Sequence, residues 1–160
     1  MNKNISRRIK SKYWLPPLLW MAFLFPLTNP LMSSPFFYEV IERTWNILFP
    51  QAGPSSAGVS YLIIRKGLHL AAYGLLAFLV FRFIRAGSLL KWEPEWALCA
   101  AGIGLAYAGM DECLQTLRAE RHASWIDFGI DALGILLALG IIYFRSRRKC
   151  RKSTRDAIDL

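Results

Sequence analysis

Hydrophobic residues in this chain fall into long blocks, and the charged residues gather at the ends of those blocks. Three blocks cover about Lys66–Ile84, Trp96–Leu114 and Ile126–Phe144, and an earlier one covers about Tyr13–Met32, centred on Leu15–Leu27. Each is apolar around its whole circumference and about as long as the ~20 residues that cross a hydrocarbon core. Helices are the predicted form, because open strands would leave backbone groups unsatisfied in lipid. Trp14, Trp92, Trp96, Trp125 and Tyr143 lie near the block ends, where amphipathic aromatics meet the headgroups.

Pro16, Pro17 and Pro26 interrupt the first block, and its basic leader looks like the start of a signal peptide. With no small-x-small cleavage site after it, it reads as a retained anchor. Between the first and second blocks, Phe37, Ile41, Trp45 and Leu48 recur at helical spacing. Glu39, Glu42, Arg43 and Asn46 lie off that stripe, which predicts a short helix on the outer interface. Residues Pro50 to Gly58, rich in Gly, Pro and Ser, read as a flexible connector. The expected fold is therefore all-α, an integral membrane four-helix bundle with a short external interfacial helix. Residues 13–144 form its membrane domain, between basic cytoplasmic tails at 1–12 and 145–160.

Composition supports the membrane class: 54% of the 160 residues are hydrophobic and 19% are charged. The net charge of +9 does not point to nucleic acid, because most basic residues sit outside the blocks. The amino tail, the turn after the second block and the carboxyl tail hold 15 of the 20 Lys and Arg, and with four spans these segments share one side. Positive residues favour the cytoplasm, so both termini are expected there, with anionic lipids as partners of the tails. Cys99, Cys113 and Cys150 are placed too differently to suggest a disulfide framework.

That orientation brings the polar residues of the blocks to one level. Lys66, His69 and Tyr73 form a stripe at the outer end of the second span, and Asp111, Glu112 and Gln115 close the third. Ser124, Asp127 and Asp131 share a face at the start of the fourth, and Arg121 precedes them. Ionisable groups in spanning segments usually face a bundle interior or polar cavity, so a polar pocket open to the outside is expected. Mutual ion pairing that fixes helix register is the competing interpretation. His122 falls in an external turn and reads as solvated.

These residues together resemble the VanZ-like family of bacterial membrane proteins. The resemblance covers 65–143 and rests on Lys66-x-x-His69-x-x-x-Tyr73, Asp111-Glu112-x-x-Gln115, Arg121-x-x-Ser124-x-x-Asp127 and Asp131-x-x-Gly134. Asp131 departs from the pattern, since the family usually has Asn there. The resemblance implies a four-helix fold in the bacterial cytoplasmic (inner) membrane. It also implies, for the founding member, a link to resistance against a teicoplanin-type lipoglycopeptide. It implies no known reaction.

Two functions follow as expectations. The pocket binds an anionic or sugar-bearing envelope component, such as a lipid-linked one, with Arg121 as a bidentate fork, Lys66 as a point charge and the carboxylates as acceptors for hydroxyls. Alternatively it is an intramembrane hydrolase or transferase, with His69 as base, Asp111 or Glu112 as acid and Ser124 as a possible nucleophile. A proton-coupled transporter is a third class, but no polar relay toward the cytoplasm is visible. No cofactor is expected, and no metal site, since Asp-Glu-x-x-Gln lacks the paired histidines of a metalloprotease helix.

Overall fold

The computed structural model describes residues 3–26, 34–51, 53–86, 92–116 and 125–158. Within them the chain is all helical: α1 (Lys3–Pro26), α2 (Pro35–Leu48), α3 (Pro54–Ile84), α4 (Pro94–Thr116) and α5 (Trp125–Ile158). Three are long and apolar enough to cross a membrane, over Ser56–Ile84, Pro94–Leu114 and Trp125–Arg148. The protein is a membrane protein. Its large outward side chains, including Leu98, Leu133, Leu136 and Ile141, suit a lipid environment.

The helix α1, half of it basic leader, is not among those three, yet it completes the bundle. The Trp20 indole N–H donates to the Ala72 carbonyl of α3 at 2.9 Å, and the Tyr107 hydroxyl of α4 donates to the Met21 carbonyl at 2.6 Å. Leu24 is fully buried beside them. The described part of α1 reaches Pro26, and the rest of the expected first span, 27–32, lies outside the described residues.

Helix α3 is the centre of the fold, and α5 packs along it most closely. Gly134 sets that approach: a Cβ there would collide with the Leu70 carbonyl, and one on Gly74 would stand 3.0 Å from the Gly134 carbonyl. Small residues let helix backbones meet in this way. The core at this crossing is built from Tyr73, Leu76, Ala77, Ala108, Ile135 and Leu139.

Two boundaries differ from expectation. The connector at 50–58 is helical from Pro54, because Pro suits the first helical position and Gly53 caps it. The Gly53 carbonyl also accepts from the Ser56 amide and hydroxyl. The carboxyl tail continues α5 as far as Ile158 instead of leaving it at Phe144. The amphipathic helix is present as α2, with Ser34 accepting from the Phe37 amide as its N-cap. It lies against the first turns of α3: Tyr38 meets Tyr61 edge-on at 5.2 Å, and the Trp45 N–H donates to the Ser56 hydroxyl at 3.0 Å. On its apolar stripe Ile41 is buried against the protein, while Leu48 is exposed.

Candidate functional site

Three polar rungs connect α3 to its neighbours. At 1.5 Å per residue, His69 lies ~4.5 Å and Tyr73 ~10 Å beyond Lys66 along the helix. Lys66 Nζ donates to Asp127 Oδ1 at 2.7 Å, and Arg65 stands 4.0 Å from Asp127 Oδ2. One turn further in, His69 Nδ1 and Asp131 Oδ1 are 3.3 Å apart. Below them the Tyr73 hydroxyl donates to Asp111 Oδ2 of α4, also at 3.3 Å. The Tyr73 ring lies 6.4 Å from that of Tyr107, whose own hydroxyl ends on α1. All four bundle helices thus converge on one polar ladder.

The pairs line up because Lys66 and His69 are three residues apart on α3, while Asp127 and Asp131 are four apart on α5, and both spacings return to the same helix face. The close approach at Gly134, one turn past Asp131, brings those faces within side-chain reach. Exposure closes off along the ladder. The Lys66 side chain is 40% exposed and that of Asp127 19%, whereas His69 keeps 4% and Asp131 1%. Asp111 and Glu112 are buried as well.

The His69–Asp131 pair has chemical consequences. When Nδ1 donates to the carboxylate, the other ring nitrogen, Nε2, is left as an acceptor. That Nε2 is buried and has no hydrogen-bond partner among the described residues. A buried polar atom without a partner costs about 1–3 kcal/mol, so it is a candidate contact for a ligand hydroxyl.

Of the ten candidate residues, Lys66, His69, Tyr73, Asp111, Asp127 and Asp131 are joined in this ladder, and Glu112 is buried next to Asp111 in sequence. Gln115 lies in the last turn of α4, where its side chain is not described, and Arg121, Ser124 and His122 lie outside the described residues. The sequence reading missed three contributors. Arg65, given no role there, faces Asp127, while Gly74 and Tyr107 looked like ordinary span residues. Among the described residues, no group of three His, Cys, Asp or Glu side chains could hold a metal.

An all-helical membrane protein with a buried, acid-rich polar ladder between its spans is the class that fold and site define. The family description VanZ/LLP1 matches residues 13–146, and the chain belongs to that family. Comparison with curated proteins and with solved structures finds no match.

Proposed function

We propose that the ladder is the floor of a binding site for an anionic or sugar-bearing component of the bacterial cell envelope, open on the outer side of the cytoplasmic membrane. The buried Nε2 of His69 carries this proposal, because it is a polar atom whose partner is not supplied by the described residues. A sugar hydroxyl or a protonated phosphate oxygen can donate to it. Lys66 and Arg65, at the exposed rung, add positive charge at the entrance, and the role of a phosphate or carboxylate fork for Arg121 rests on its residue type alone. Membership of a family associated with glycopeptide resistance supports this reading, in which the bound component alters access of the drug or handling of a lipid-linked precursor.

The same pair supports a second reading. A carboxylate behind an imidazole orients it as a general base, so His69 and Asp131 could serve a hydrolase or transferase acting on a lipid-linked substrate. His69→Gln separates the two. Gln keeps hydrogen-bonding groups but cannot relay a proton, so binding is reduced in part and catalysis is abolished. The readout is survival against a teicoplanin-type lipoglycopeptide in cells with and without the protein, at matched protein levels. Full protection by His69→Ala at a normal level would remove the site from the function altogether.

A further inference from the structure

A second polar feature lies at the opposite end of the bundle. From Lys66 to Arg85 along α3 is 19 residues, or ~28 Å, and from Asp127 to Arg145 along α5 is 18 residues, or ~27 Å. Both lengths match a hydrocarbon core of ~30 Å, so Arg85 and Arg145 mark the other headgroup level. There, two adjoining cavities open on the bundle surface. One, of about 770 Å³, is lined by Phe78, Arg85, Ala138, Ile141, Arg145 and Arg148, among others. Its neighbour, of about 310 Å³, shares Phe78, Arg85 and Ile142 and adds Tyr13 and Arg82. Arg82 is held in place over the Tyr13 ring, 5.6 Å from its centroid.

We propose that these cavities form one site for an anionic phospholipid, with the phosphate among the arginines and an acyl chain along Phe78 and Ile141. Charge complementarity is the first argument. Among the described residues the ion pairs use Arg43, Arg65, Lys66 and His69, and none involves Arg82, Arg85, Arg145 or Arg148. Among the described residues, four guanidinium groups therefore line these cavities with no carboxylate in ion-pair contact, and a guanidinium presents a planar fork that fits phosphate. The second argument is the apolar floor. Phe78 and Ile141 line the larger cavity and are exposed, which leaves an apolar surface for an acyl chain to lie along. A free phosphate would use the arginines and leave that floor uncovered. Such a site differs from diffuse attraction of the basic tails, because it holds one lipid between helices.

Native mass spectrometry of the detergent-solubilised protein, titrated with phosphatidylglycerol or phosphatidylcholine, tests this. One phosphatidylglycerol should be retained in preference to phosphatidylcholine, and millimolar inorganic phosphate should not displace it. A basic residue near a membrane surface contributes about 5-fold in affinity, so Arg85→Gln with Arg145→Gln should weaken phosphatidylglycerol binding roughly 20-fold. Arg148→Gln alone should weaken it about 5-fold and covers the case in which the double variant fails to fold. Replacing Arg151, Lys152 and Arg155 by Gln should leave the retained lipid in place. Equal retention of the two lipids, displacement by phosphate, or loss only in the tail variant would each overturn the proposal.

Discussion

A methyl group on Gly134 would run into the carbonyl of Leu70, so α5 lies against α3 with no side chain between them at that point. The His69–Asp131 and Lys66–Asp127 pairs depend on this spacing, since they lie within two turns of the crossing.

Gly134→Ala should therefore destabilise the bundle by about 1–3 kcal/mol, the usual cost of overpacking, because the obstacle is backbone. Gly129→Ala is its control, as that position is exposed with nothing within 4 Å of an added Cβ. It should be neutral or stabilising by up to about 1 kcal/mol, through helix propensity. Thermal unfolding in detergent, followed by circular dichroism, distinguishes them. Equal melting of the two variants would mean that the crossing is looser than described.

Asp131→Asn should keep the fold, because the amide oxygen can still accept from His69 Nδ1 across the same gap. Asp131→Leu should cost about 1–3 kcal/mol, since a buried imidazole N–H then loses its acceptor. Activity adds a second readout. Asn preserves a binding role and removes the carboxylate that a general base needs, so a stable but inactive Asn variant favours the enzymatic reading. If Asn is as destabilising as Leu, the negative charge itself holds His69 in place.

Asp127 accepts a hydrogen bond from Lys66 and stands 4.0 Å from the Arg65 guanidinium at the more exposed rung. Asp127→Asn should lower stability by about 1–2 kcal/mol, within the range of hydrogen bonds to charged groups and discounted for the partial exposure of Lys66. It should also leave a surplus of positive charge at the entrance. An anionic ligand would then bind with unchanged or higher affinity, whereas loss of binding at unchanged stability would assign Asp127 a direct ligand contact.

Orientation can be tested in intact cells. Gln51 is exposed in the turn before α3, whereas the Ser56 hydroxyl is engaged by Trp45 and Gly53. In a background with Cys99 and Cys113 replaced by Ser, a cysteine at position 51 should react with a membrane-impermeant maleimide. Cys150 should react only after permeabilisation. The opposite pattern would put the polar ladder on the cytoplasmic side and remove the envelope ligand from consideration.

The sequence by itself determined the membrane class, the long apolar helices and six of the polar residues in the ladder. Blocks of ~20 apolar residues admit few other structures in lipid, and a charge inside such a block must find a partner. Spacing alone put Lys66, His69 and Tyr73 on one face and Asp127 and Asp131 on another, because helix periodicity is a local property. Which acid meets which base was not local. Only the packing of α3 on α5 brought Lys66 and Arg65 beside Asp127. The helical start at Pro54 was likewise hidden, since Pro and Gly signal a turn or a helix N-terminus equally well until a packed neighbour such as α2 decides. Tertiary structure alone decided the roles of Gly74, Gly134 and Tyr107, because a close backbone approach and a hydroxyl reaching another helix are relations between segments. Periodicity within a single segment does not encode them.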